Sequence, residues 1–267
     1  MKDSLFPQVL ALLVDAARDL VMPRFRQLKH GDVEEKSPGE LVTVVDREVE
    51  ALLSPALRKL LPGSRVVGEE ACALQPALLD ALDQGDVWLV DPLDGTGNFI
   101  AGSPDFASMV ALLQQGEIVG AWMYLPVSGT LYAAELGGGA WRDGARIAVI
   151  ERATNGPSKG IVRTRFLPLD LKSQVLERAK LLRDMQPGTN CAAVDYPRMV
   201  TGESDFALYW RTLPWDHAPG ALFLREAGGH VARLDGSPYR PHEQRNGLLA
   251  ASNEAMWHAS RELLGLS

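Results

Sequence analysis

Between Asp91 and Phe99 the chain reads Asp91-Pro92-Leu93-Asp94-Gly95-Thr96-Gly97-Asn98-Phe99. Two carboxylates flank a proline, and a residue without a side chain and a hydroxyl follow. Pro92 fixes its own φ and holds Asp91 extended, so the turn is stiff. Backbone N–H groups at Gly95 and Thr96 can face an anion where a turn or helix begins. Paired carboxylates beside a phosphate-sized N–H cradle are the parts of a metal-assisted phosphate site. The plainer reading is a turn whose acids cap it. Other acids carry the same ambiguity. Asp46 completes a Thr43-x-x-Asp46 capping-box pattern. Glu69 and Glu70 follow Gly68 as a solvated turn would. Asp216 opens a helix, where an acid is favoured for capping alone.

The elements that must position these acids follow from periodicity. Leu5, Val9, Leu12, Leu13, Ala16, Leu20 and Val21 predict an amphipathic helix to about Arg26, and not a signal peptide. The polar run from Lys29 to Gly39 predicts a mobile loop, and Leu41-Val42 a short extended piece. Val45 through Leu60 predicts a second helix, stopped by Pro62-Gly63. Val66-Val67 and Val87 to Val90 predict strands that end where acids begin. Phe106 to Leu113, Glu117 to Leu125 and Thr130 to Glu135 predict a meander turned at Gln115-Gly116 and Ser128-Gly129. No helix pattern follows Gly137-Gly138-Gly139, which therefore reads as a hairpin connection and not a phosphate loop. A polar stretch at 154–160 marks the expected boundary between an N-terminal half (1–153) and a C-terminal half (154–267). Strand Gly160 to Arg163, helix Leu169 to Leu182, a segment near Ala192-Ala193-Val194 and strand Phe206 to Trp210 predict an α/β second half. Pro219 is tolerable only in a first turn, which puts Asp216 near the start of the helix that Gly228-Gly229 closes. Leu248 to Ala250 and a helix from Asn253 finish the chain.

With 267 residues, 46% of them hydrophobic and 23% charged, the chain can bury a full core as one large unit or two packed halves. A net charge of −7 without a basic run argues against nucleic acid as a main partner. No window approaches the ~20 apolar residues of a membrane span. Two cysteines, Cys72 and Cys191, fit a reducing compartment, so a cytoplasmic protein is expected. The five histidines show no zinc spacing.

Glu69, Asp91, Asp94 and Asp216 all fall at the end of an element, where α/β proteins place their sites. The run from Trp88 through Asp91-Pro92-Leu93-Asp94-Gly95-Thr96 to Asn98-Phe99, and the run from Trp215-Asp216 through Ala218 and Gly220 to Glu226-Ala227-Gly228-Gly229, resemble the two signatures of the inositol monophosphatase family. Gly68-Glu69-Glu70 and Leu41-Val42-Thr43-x-x-Asp46 match upstream, so the resemblance covers most of the chain. It implies a layered α/β/α/β/α sandwich, commonly homodimeric. The implied activity is a Mg2+-dependent, lithium-sensitive phosphomonoesterase, with metal-activated water attacking a small phosphorylated metabolite such as a polyol phosphate. By that resemblance Glu69, Asp91 and the Leu93 carbonyl hold one ion and Asp91, Asp94 and Asp216 a second. A third ion rests on Glu69. Asp46 and Thr96 orient and deprotonate the water, and the Gly95 and Thr96 amides receive phosphate. Asp94, Ala192 and Tyr209 line the substrate. Oxygen-only ligands select Mg2+, with Mn2+ as the alternative, over zinc or copper.

The chain departs from the pattern in informative places. Gly97 stands where relatives carry Thr or Ser, and Pro219 replaces a small residue. Tyr209 stands where inositol-specific relatives carry a glutamate that reaches the sugar hydroxyls, and Asn190-Cys191-Ala192 replaces a Gly-Thr-Ala-type segment. The phosphate-cleaving half is intact while the alcohol-reading half is altered. Histidinol phosphate, fructose bisphosphate and phosphoadenosine nucleotides remain open as substrates. So does a non-catalytic regulatory protein that keeps the fold. A kinase or ligase is disfavoured, because no Walker-type loop is present.

Overall fold

The computed structural model describes residues 5–37, 39–150 and 156–266. Helix α1 (Leu5–Ala16) leads into a two-stranded ribbon, β1 (Val33–Ser37) and β2 (Glu40–Thr43), and then α2 (Val44–Leu60). Seven strands form the larger sheet, side by side in chain order. They are β3 (Arg65–Gly68), β4 (Asp86–Asp94), β5 (Ala107–Gln114), β6 (Glu117–Leu125), β7 (Thr130–Glu135), β8 (Gly139–Arg142) and β9 (Ala145–Ile147). Only the β3–β4 pair is parallel; the rest is the expected meander. Two short helices interrupt it, α3 (Glu69–Leu74) and α4 (Thr96–Ala101).

The second sheet is built from β10 (Lys159–Val162), β11 (Asp184–Gln186), β12 (Phe206–Tyr209), β13 (His230–Ala232) and β14 (Leu248–Ala251). Its spatial order is β11-β10-β12-β14-β13, with β10 parallel to both β11 and β12. The helices of this region are α5 (Leu169–Ala179), α6 (Ala192–Val200), α7 (Pro214–Glu226) and α8 (Glu254–Leu264).

Both sheets are buried on both faces, and the period-2 alternation of a strand sorts their side chains between layers. On β4, Trp88 and Val90 pack under α1 and α2, while Val87 and Leu89 face the opposite side with α6 and α7. On β12, Ala207 and Tyr209 face that same central helical layer, and Phe206 and Leu208 face outward toward Trp257 of α8. The result is a five-layer α/β/α/β/α sandwich, as the resemblance implied. Asp216 on α7 therefore lies between the sheets, in reach of acids that point inward from the first.

Several local expectations are corrected. The run 29–39 is not simply a loop, because Val33–Ser37 pairs with β2. Its Val-Glu-Glu-Lys-Ser sequence hides this because the ribbon stands at the surface with no core face to alternate toward. The first helix is α-helical only to Ala16 and continues as a π turn and a 3-10 turn to Arg24, around Pro23. The segment at Ala192 begins helix α6. Pro219 sits beyond the first turn, because α7 already begins at Pro214. The proposed boundary at 154–160 falls partly on 151–155, outside the described residues. Gly137-Gly138-Gly139 is the expected hairpin connection, and its anion is internal: Glu226 accepts from the Gly137 and Gly139 amides at 2.8 and 2.9 Å.

Candidate active site

Residues three apart on a regular strand point to opposite faces. Asp91 pairs with Met109 and Asp94 with Ala107, so β4 spends one more residue than β5 between them. That β-bulge resets the alternation and turns both carboxylates to the same face. Proline fits there because the bulge asks no ladder hydrogen bond of it. The Ser108 hydroxyl donates to the Pro92 carbonyl at 2.7 Å, and the Leu93 amide donates to Asp91 Oδ1 at 3.0 Å, so the bulge is fixed from both sides. Gly95 then adopts φ +86°, a left-handed conformation. A Cβ there would lie 2.8 Å from the Asp105 carbonyl and 3.2 Å from the Cys191 side chain, so glycine is required twice over.

Glu69 and Glu70 open α3 directly after β3. Their turn is held by Glu50, whose carboxylate accepts from the Glu70 and Ala71 amides at 2.8 and 2.9 Å. Gly68 leaves room for that carboxylate, since a Cβ would lie 2.2 Å from its carbon. The structure also separates the two glutamates. Glu69, Asp91 and Asp216 each present an oxygen within 4.8 Å of the others. Glu70 stays outside this group and shares Lys36, whose ammonium donates to Glu69 at 2.9 Å and also reaches Glu70. Asp94 is adjacent to the trio and not part of it. Its Oδ2 accepts from the Ala193 amide at 2.9 Å and the Cys191 thiol at 3.1 Å.

These acids are held against their own repulsion. Burial, then the Asp216 charge, pushes Glu69 up to about 8 and Asp94 up to about 7. Burial pushes Asp216 up to about 6 against the pull of Arg211 and Arg163. Asp91, the deepest, is raised well above the carboxylate range by burial and by Glu69, Asp94 and Asp216. Two unit charges ~4 Å apart interact by roughly 4 kcal/mol at an effective dielectric of 20. A hard divalent cation relieves that strain, and the oxygen-only donor set fits one.

Asp46 caps α2 and also reaches Thr96. Its Oδ2 accepts from the Thr43 amide at 2.8 Å and the Thr43 hydroxyl at 2.6 Å. Its Oδ1 accepts from the Thr96 hydroxyl at 3.0 Å, and that hydroxyl lies equally close to the Leu93 carbonyl. Burial raises Asp46 to about 6 despite these bonds.

The acids form the floor of a cleft of about 460 Å³, lined also by Thr96, Arg163, Arg165, Ala192, Tyr209 and Arg211. Tyr209 is 3% exposed and its hydroxyl has no hydrogen-bond partner among the described residues. It packs on Tyr196 and His217, the latter driven down to about 3 by burial. Four positioning residues escaped the sequence reading: Lys36, Glu50, Asn98 and Asp195. Asn98 donates to the Asp105 and Thr189 carbonyls, both at 2.6 Å, tying α4 to the loop before α6. Asp195 accepts from the Thr189 amide and hydroxyl and pairs with Arg163. Asn98 lies inside the Asp-Gly-Thr-x-Asn-Phe run and could have been weighed there; the other three sit in no motif.

A layered sandwich with carboxylates converging at strand ends places a cluster of oxygen donors that could hold a metal ion between the two sheets, and the family of the chain makes it a phosphoric monoester hydrolase. The chain belongs to the inositol monophosphatase family, whose model matches residues 6–264. It is 34% identical over 248 residues to an inositol-1-monophosphatase of Rhizobium meliloti, covering 90% of this chain and 88% of that one. It is 32% identical over 207 residues to a putative Nus factor SuhB of Neisseria meningitidis serogroup B, covering 75% and 76%. The crystal structure of the extragenic suppressor protein suhB from Bartonella henselae superposes with a TM-score of 0.83 at 26% identity, covering 98% of each chain.

Proposed function

We propose that this protein is a Mg2+-dependent phosphomonoesterase acting on a small phosphorylated metabolite, with Mn2+ as an alternative ion. The supporting observation is the meeting of Glu69, Asp91 and Asp216 oxygens within 4.8 Å, from three separate places in the chain. Glu69, Asp91, Asp94, Asp216 and the Leu93 carbonyl would hold two to three ions. Bound there, the ions supply positive charge at the phosphoryl oxygens and lower the pKa of the attacking water. Thr96 and Asp46 orient that water: the Thr96 hydroxyl donates to Asp46 Oδ1, which leaves its lone pair to accept from water and pass the proton on. The Gly95 and Thr96 amides, freed by the left-handed turn, receive the phosphate. Ala192 and Tyr209 border the leaving alcohol. Cytoplasmic residence, lithium sensitivity and a homodimer belong to the same proposal by family habit, and sedimentation tests the last.

Released phosphate, assayed over a panel of esters with and without Mg2+, tests the reading. Turnover that depends on Mg2+ and collapses in Asp216→Asn while the fold survives supports it. A regulatory, non-catalytic reading draws on the Nus-factor name of the Neisseria relative. It would be favoured by clean, Mg2+-saturated protein that releases no phosphate from any ester.

A further inference from the structure

The parallel strands β10 and β12 lie side by side, so their C-terminal ends empty onto the same edge of the second sheet. One end delivers Arg163 and, two residues on, Arg165 and Phe166; the other delivers Tyr209, Trp210 and Arg211. All line the cleft across from the acids. Phe166, exposed at the mouth, is flanked by two guanidinium groups: Arg165 stands 4.9 Å and Arg211 4.3 Å from its ring centre. Such stacking fixes each guanidinium plane and turns its N–H edge away from the ring, where part of it can donate. Arg211 is paired with Glu40, and Arg163 with Asp195 and the Asn190 side chain. Arg165 bonds only the Gly39 carbonyl and, among the described residues, has no carboxylate partner. The same cleft holds the Tyr209 hydroxyl, buried and without a hydrogen-bond partner among the described residues.

This end of the cleft is therefore rich in donors, and its three guanidinium groups outnumber the two carboxylates paired with them, Glu40 and Asp195. A neutral polyol offers weak acceptors to such a surface; a carboxylate or phosphate matches the planar forks of arginine. We propose that the leaving alcohol carries a second anionic group, which Arg165 and Arg211 bind while the scissile phosphate lies over the acids. This rests on the phosphatase reading of the same cleft and narrows its substrate class.

Matched esters test it: glycerol 3-phosphate against 3-phosphoglycerate for a carboxylate, and glucose 6-phosphate against glucose 1,6-bisphosphate for a phosphate. At low salt, kcat/KM for the doubly anionic member of at least one pair should exceed its partner by about tenfold or more. Arg165→Gln and Arg211→Gln should each pull that ratio toward one, as should added salt. A wild-type ratio near one in both pairs, or a ratio unmoved by either substitution, overturns the proposal. Calorimetric titration of the same pairs with Mg2+ present reads the preference as binding. A chain that hydrolysed neither member would thus fail the phosphatase reading, while the anion preference still stood or fell on the binding ratio.

Discussion

The hydroxyl of Thr96 lies 3.0 Å from Oδ1 of Asp46, a residue whose other oxygen is fully engaged by Thr43. One carboxylate thus closes the start of α2 with one atom and meets the cleft-lining Thr96 with the other. Capping and the proposed catalytic role are therefore not rival readings of Asp46, and the division of labour between its oxygens makes them separable.

Thr96→Ala removes the donor without touching the cap. We expect kcat to fall about 10²–10⁴-fold with little change in melting temperature, and Thr96→Ser to restore most of it. Asp46→Asn also disturbs the Thr43 bonds, so it should lose activity and about 1 kcal/mol of stability together. Initial rates and thermal melts on the three variants check the pattern; a Thr96→Ala enzyme of wild-type kcat would refute the assigned pair.

Burial raises Asp216 to about 6, and burial together with the Asp216 charge raises Asp94 to about 7 and Glu69 to about 8. In the unfolded chain such groups titrate near about 4. Between those limits the native state binds more protons than the unfolded one, so the contribution of these groups to stability falls as pH rises from about 4 to 8. Chelated protein should melt lower at pH 8 than at pH 5.5. Added Mg2+ should raise the melting temperature more at pH 8, because at low pH it must first displace protons. Scanning calorimetry at the two pH values reads both effects, and a Mg2+ shift larger at pH 5.5 would contradict the assignment.

Asp216→Asn takes one charge out of the repelling group. The metal-free variant should be as stable as the parent or melt a few degrees higher at pH 8, about 2–4 °C per kcal/mol for a chain approaching this size. Its hydrolysis should nevertheless be lost. A variant that unfolds instead would show Asp216 to be needed for packing.

Glu50 touches none of the cleft, yet it anchors the amides beside Glu69. Glu50→Gln keeps the shape but replaces one of the two accepting oxygens with an NH2 that cannot accept from the amide facing it. Mg2+ affinity should drop about tenfold or more, as is usual when a group that orients a ligand is changed. Titration calorimetry measures it, and unchanged affinity would leave Glu50 a purely structural cap.

Much of this was legible in the chain because the site is built at element ends. The strands ending in Asp91 and Gly68 and the helix opening near Asp216 could be drawn from apolar runs and breakers, and the motifs tied them to one fold. What stayed hidden was long-range. Nothing near Lys36 announces that a surface ribbon will bring its ammonium to Glu69, and Glu50 reads as an ordinary helix glutamate. The bulge at Pro92 was equally silent, since the one-residue mismatch with β5 exists only after pairing. The arginine edge was legible only in part: Arg211 and Trp210 keep a nucleotide substrate open in the sequence, but Arg165 lies in a different segment, and only the adjacency of β10 and β12 unites it with them.

The placement of Asp216 on a late helix, away from the bulged strand that carries its companions, sets an order on biosynthesis. A nascent chain that has emerged only through the first sheet exposes like charges without the residue that completes their cage. On the proposed reading, ester cleavage is withheld until α7 has left the ribosome and settled between the sheets, and a prematurely terminated product would be inert by construction.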